Sequence, residues 1–249
     1  MRLARMGSLG LLSALALAAC NDANAPSELD ETLNEDLALV VADAVIEDVQ
    51  QMNLSLGVQG AADASLDMAG PPRNFSRTVS FFDEDGDPQD AYNPDLTASL
   101  VIVVTMSGAV ERDNWSATVE RNRTLTVTGL LGQETERIWN GFGDGTTTRS
   151  QHSDENGDRS YEMTSDVLIE DVVRGLPRSE HPWPLSGRIT RHVKVTVING
   201  PNGDVMHERT VIIIFNGKQF ATMIIGDEEF EVDLGALDGQ RGFRRKGNG

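Results

Sequence analysis

Leu100, Ile102, Val104 and Met106 alternate with Val101, Val103 and Thr105. Side chains on a strand point to opposite faces with a period of two. On a helix the same run would scatter its apolar groups around the axis. The pattern recurs where Leu125 and Val127 alternate with Thr124, Thr126 and Thr128. It recurs again where Val193, Val195 and Val197 alternate with His192, Lys194 and Thr196. β-Branched residues in alternation, punctuated by Gly and Asn, predict antiparallel strands. About ten runs are counted, near 75–82, 97–107, 116–128, 133–140, 146–152, 159–168, 187–198, 205–215, 218–225 and 228–234. The stretch 164–174 also fits a helical turn, and no exact repeat is visible.

The last strands can be registered from their turns. Asn216-Gly217 suits a two-residue type I′ turn, whose central residues both need positive φ, and Gly226-Asp227 suits type II′. Two-residue loops would pair Phe215 with Lys218 and Ile225 with Glu228. One face then gathers Ile212, Ile214, Ala221, Met223, Ile225, Phe230, Val232 and Leu234. The other gathers Val211, Ile213, Phe215, Phe220 and Ile224, with Glu229, Glu231 and Asp233 on the last strand. Strands apolar on both faces require a cover on the second one.

Before the strands, Leu33, Leu37, Val41, Val45 and Val49 recur every four residues, with Leu29 and Met52 extending the line. Ser27-Glu28-Leu29-Asp30 supplies a helix-start box. An amphipathic helix over 28–52 follows, to be packed on the domain, because its polar face carries Asp and Glu in place of the Lys and Arg of membrane-surface helices. The expected fold is therefore mainly β with one N-terminal helix. Its large antiparallel meander sheet forms a curved half-barrel or a sandwich, with the helix packed on one face. This plan looks broadly like lipoprotein-carrier folds, in which a curved sheet cups helices, a likeness of architecture that transfers no function.

The first residues read as an address. Arg2 and Arg5 precede an uncharged run from Leu9 to Ala19, a basic region followed by an apolar one of signal-peptide length. It closes on Leu17-Ala18-Ala19-Cys20, which resembles the lipobox of bacterial lipoproteins. The resemblance implies cleavage before Cys20, diacylation of its sulfur and acylation of the new N-terminus. It also gives the chain's single cysteine a use other than a disulfide. Each buried methylene of such chains contributes about 0.8 kcal/mol to membrane attachment. The implied location is the bacterial cell envelope, at the outer membrane or cell surface, held through the lipid. The organisation becomes 1–19 signal peptide, 20–27 lipidated tether, 28–52 helix, 53–73 Gly/Ala/Ser/Asp/Pro linker, 74–235 β domain and 236–249 basic, flexible tail.

With a net charge of −18, and more negative once Arg2 and Arg5 leave with the signal, the chain would be repelled by nucleic acid. The acids also suggest a cation. Asp83-Glu84-Asp85-Gly86-Asp87-Pro88-Gln89-Asp90 is echoed by Asp154-Glu155-Asn156-Gly157-Asp158. The first stretch resembles the Asp-rich calcium loops of EF-hand proteins over its first five positions. It then departs, with Pro88 where the glycine belongs and Pro94 at the twelfth place. Asp83, Asp85, Asp87 and Asp90 are the candidate Ca²⁺ ligands; the plainer reading is an acidic turn.

His152, His181, His192 and His207 lack ligand spacing, and the mature chain has no GxSxG. Gly141-Phe142-Gly143-Asp144-Gly145 reads as a turn. Arg121 and Arg123 share a face with Val119, Leu125 and Val127. They could hold an anion in a cavity, or pair with acids at a sheet rim. His181-Pro182-Trp183-Pro184 presents an indole to a sugar or to an open barrel end. The expected function is a non-catalytic envelope lipoprotein whose β domain binds a protein or apolar ligand or serves a structural role. Its alternatives are a calcium-dependent adhesive or glycan-binding module, and a hydrolase whose site assembles only in space.

Overall fold

A computed structural model of the chain describes residues 28–53, 73–111, 115–151, 158–200, 203–236 and 243–245. The first element is the helix α1 (Glu28–Asn53). Eleven strands follow: β1 (Arg73–Phe82), β2 (Pro88–Gln89), β3 (Ser99–Glu111), β4 (Trp115–Thr128), β5 (Glu136–Gln151), β6 (Arg159–Gly175), β7 (Ser186–Gly200), β8 (Gly203–Ile214), β9 (Phe220–Ile225), β10 (Glu228–Asp233) and β11 (Phe243–Arg245). They form one antiparallel sheet in the order β11-β10-β9-β8-β7-β6-β5-β4-β3-β1-β2, which does not close. Every strand neighbours its successor except β2, which lies outside β1 at the sheet edge while β1 pairs with β3, as expected of a meander joined by short loops.

The sheet bends around α1. Side chains of the helix reach β4, β6, β7 and β8, and α1 also touches β9, β10 and β11. The predicted stripe of Leu33, Leu37, Val41, Val45, Val49 and Met52 is buried against Leu100, Ile102, Val104, Leu125, Val127, Ile169, Val195, Ile213, Met223 and Phe230. Burial does not stop at the stripe. Ala38, Ala42 and Ile46 are buried on another side of the helix, and so are Asp36, Glu47 and Asp48. Among residues 33–52 only Glu35 is exposed, with Leu39, Val40, Asp43 and Gln50 half-buried. A helix with a wet face has become a helix inside a trough. Its last turn carries no basic residue, and Arg178 supplies the missing cap by donating to the Met52 carbonyl at 3.2 Å.

Several strand expectations need correction. The segments 133–140 and 146–152 are one strand, β5, which runs through Gly141-Phe142-Gly143-Asp144-Gly145. The stretch 164–174 lies within β6, which continues to Gly175. A break in its pairing falls between Glu170 and Val173, where Asp171 takes φ 47°. Residues 243–245 of the expected flexible tail form β11, where Arg244 binds Glu231 and lies over the Phe220 ring at 4.9 Å.

The β9–β10 turn is the expected two-residue loop: Ile225 pairs with Glu228, and Gly226 has φ 59°. The β8–β9 connection is not. Val211 pairs with Ile225 and Ile214 with Thr222, so residues 215–219 form a longer loop and the faces exchange. Val211, Ile213 and Phe215 point inward, whereas Ile212 and Ile214 point out. The outer face of these strands carries no second layer among the described residues. The fold is a single curved sheet filled by a helix.

Candidate functional site

Three glycines make the centre of the trough. Gly141, Gly143 and Gly145 recur at period two on the inner face of β5, in the strand segment that reads as a turn in the sequence. They leave room for side chains of β4. A Cβ on Gly141 would lie 2.8 Å from Leu125 Cδ2, one on Gly143 2.9 Å from Arg123 Cδ, and one on Gly145 3.2 Å from Arg121 Cγ. Arg121 and Arg123 therefore lie flat across the glycine floor toward the helix. Glycine in a strand often marks such a close approach.

Two inner rows of the sheet meet there. One runs Val104, Arg123, Gly143, Val167, Arg191 and Val211; the next runs Met106, Arg121, Gly145, Ser165, Val193 and Arg209. Helix α1 lays Glu47 against Arg121, and Asp48 between Arg123 and Arg191, with Arg123 Nε 3.3 Å from Asp48 Oδ1. Arg123 Nη1 also donates to the carbonyls of Asn122 (2.7 Å) and Asp144 (2.8 Å). All five charged side chains are buried. Burial pushes Arg191 down to about 10, Arg123 lowers it further, and Asp48 works in the opposite direction. Toward the N-terminus of α1, Tyr161 donates to Asp36 and Arg209 to Asn34 (3.3 Å). Arg149 lies 4.8 Å from the Trp115 ring. The arginines expected at a sheet rim thus stand in the interior and pair with helix carboxylates. Beside them lies a cavity of about 20 Å³.

Asp83, Asp85, Asp87 and Asp90 fall in and after the β1–β2 turn. Asp83 spends its Oδ1 on the backbone N–H groups of Asp85 (3.1 Å) and Asp87 (2.8 Å), and Gly86 takes φ 83°. That is the geometry of an Asx-type turn. No cluster of three metal-ligating side chains occurs among the described residues. Cys20 and residues 154–157 of the second acidic stretch lie outside them, as do His152 and the 54–72 part of the linker. His192 meets Thr210 on the outer face (3.1 Å), and the His181 ring covers Gly175. Glu47 and Asp48, the buried adjacent carboxylates, are each matched by arginine. Trp115 and Trp139 are buried, and Trp183 is half-buried against the core. No helix among the described residues is long and apolar enough to cross a membrane.

The outer face carries the feature that sequence reasoning missed. One register row crosses the sheet as Val103, Thr124, Phe142, Leu168, Thr190, Ile212 and Ile224. Phe142 is 62% exposed, Leu168 47% and Val103 46%. The signal was present in the alternation of β3 and in the two-faced apolar β8 and β9, but the row appears only once registers are fixed. No family model matches the chain, and no curated protein or solved structure matches it.

Proposed function

We propose that the chain is a lipid-anchored protein of the bacterial cell envelope whose β domain is a non-catalytic scaffold acting through its outer face. The observation that carries this reading is where the apolar surface is spent. The inner face, where a carrier would hold its cargo, is occupied by α1. The cavity that remains beside the buried arginines, about 20 Å³, has room for one water-sized particle. A lipid chain needs hundreds of cubic ångströms.

The outer row, by contrast, leaves large apolar groups in water. Asp144, Asp166, Asp171 and Glu229 border it, while Arg188 is already held by Glu170 at 2.7 and 3.0 Å. The complementary partner is a protein surface apolar at its centre and basic at its rim. The row lies level with Asp48, about 30 Å along α1 from Glu28 at 1.5 Å per residue. It is thus remote from the end of the helix that follows the Cys20 tether, which favours a protein over the bilayer.

Two experiments test the reading. Cells producing the protein are labelled with radioactive palmitate, with Cys20→Ser as control. Label on the wild type alone, and release of the variant from the membrane pellet, are expected; an unlabelled wild type refutes the anchor. The purified protein is then extracted with organic solvent. Absence of stoichiometric lipid is expected, and one bound lipid per chain would restore the carrier reading.

A further inference from the structure

The buried cluster carries one charge too many. Arg121, Arg123 and Arg191 bring three guanidinium groups to the glycine floor, and α1 answers with two carboxylates, Glu47 and Asp48. Arg123 and Arg191 share Asp48, and all three of these side chains are 2% exposed. Arg191 Nε and Arg123 Nη2 find no acceptor among protein atoms. An unmatched charge at this depth is penalised by desolvation, and a donor without an acceptor adds to the penalty.

A cavity of about 20 Å³ borders two of these three arginines. Arg121 and Arg191 line it, with the hydroxyl-bearing Thr147 and Ser165 and the apolar Leu37 and Val41 of α1. Its size admits one particle near the dimensions of water, since about 10–15 Å³ is the lower limit for one water. Its chemistry asks for more than water. Guanidinium N–H groups only donate, and each hydroxyl can turn its proton inward. A water molecule could accept from the guanidinium groups and donate to the Thr147 and Ser165 oxygens, but it would leave the charge unmatched. A monatomic anion accepts from every side and restores neutrality.

We propose that this cavity is a halide site, binding one chloride between Arg191, Arg121, Thr147 and Ser165. Val40, Thr147 and Ser165 are only half-buried, which gives the ion a route from solvent along the side of α1 that the sheet leaves open. Bound there, chloride locks the helix to the sheet, because the helix supplies one wall of the cavity and the sheet the other.

The test is thermal unfolding of the full-length protein in detergent, in sodium chloride and in sodium gluconate at matched ionic strength. A ligand bound only by the folded state multiplies the folding constant tenfold for each tenfold in its concentration above Kd. For a chain of this size that is a rise of about 3–5 °C in Tm per decade of chloride, with bromide behaving like chloride and gluconate without effect. Ser165→Ala removes one donor while keeping the charge pairs, and should weaken the chloride dependence at least tenfold in apparent Kd. Crystals grown in bromide should show an anomalous peak between Arg191 and Ser165. Equal Tm in chloride and gluconate would overturn the proposal. So would an unchanged chloride response in Ser165→Ala, or bromide absent from the cavity.

Discussion

Replacing Gly143 by alanine tests the trough most sharply. A Cβ at this position would sit 2.1 Å from the Asn122 carbonyl oxygen, 2.9 Å from Arg123 Cδ and 3.0 Å from Arg123 Nη1. Backbone oxygen cannot yield as a side-chain tip can, so β4 and β5 must part by about 1.4 Å to reach ordinary contact, roughly 3.5 Å. Overpacking of that kind costs about 1–3 kcal/mol. The larger loss is electrostatic, because moving Arg123 withdraws it from Asp48 and from the Asn122 and Asp144 carbonyls. Disturbing a buried ion pair costs about 3–5 kcal/mol when one partner is lost. We expect Gly143→Ala to lose about 4 kcal/mol, a large share of the 5–15 kcal/mol typical of a domain.

Two controls bracket that figure. A Cβ on Gly145 comes no closer than 3.0 Å to backbone and 3.2 Å to Arg121 Cγ, so Gly145→Ala should cost about 1–2 kcal/mol. Gly86 has open space around it and φ 83°, and alanine there should cost about 1 kcal/mol through conformation alone. Urea unfolding followed by circular dichroism and by the fluorescence of buried Trp139 gives all three values. A Gly143→Ala protein within 0.5 kcal/mol of wild type, or an inverted order of the two strand variants, would refute the reasoning.

Asp48→Asn keeps the shape of the side chain but leaves two buried guanidinium groups without a counter-charge; a loss of about 3–5 kcal/mol is expected in the same assay. Tyr161→Phe deletes the bond to the Asp36 carboxylate and should cost about 2 kcal/mol, since bonds to charged groups are worth about 1.5–3 kcal/mol. On the outer face, the paired Arg188 guanidinium holds the Glu170 carboxyl below the ordinary glutamate range. A carboxyl depressed in the folded state stabilises at neutral pH and loses that contribution as pH falls through its folded value. Arg188→Gln should return Glu170 to the ordinary range, read from its carboxyl carbon shift by NMR, with little change in stability because the pair is exposed.

What was legible in the sequence is what local pattern controls. The four-residue spacing of Leu33 to Val49 marked α1, the alternation in β3, β4 and β7 marked strands, and Gly226-Asp227 set one register. Misread positions are those where a distant contact overrides a local preference. Asn216-Gly217 has the chemistry of a tight hairpin. In the folded chain Asn216 Oδ1 accepts from the Lys218 N–H (3.0 Å), while the Gly217 and Phe215 N–H groups bond to Pro184 and Gly187 carbonyls. The connection lengthens by an odd number of residues, and every side chain beyond it changes face. The glycines of β5 were read as punctuation because glycine weakens a strand. Their period of two, matched by Arg121 and Arg123 on the neighbouring strand, shows its meaning only once the two strands are paired.

The buried charges also answer a problem that the apolar stripe creates. Leu33, Leu37, Val41, Val45 and Val49 are interchangeable under a slip of about one turn, so apolar packing alone defines the position of α1 along the trough poorly. Such a slip would set Ala44 or Met52 in the place of Asp48, against Arg123 and Arg191, and the cost of two unpaired buried cations forbids it. Charge is spent on register. If so, Asp48→Leu combined with Arg123→Leu and Arg191→Met should fold with equal stability or gain about 1–4 kcal/mol, as replaced buried ion pairs often do. Its helix should then sample several registers, visible as exchange-broadened or doubled α1 amide resonances beside sharp signals from the sheet. A single sharp set of α1 resonances in the triple variant would show that side-chain shape, and not charge, fixes the helix in place.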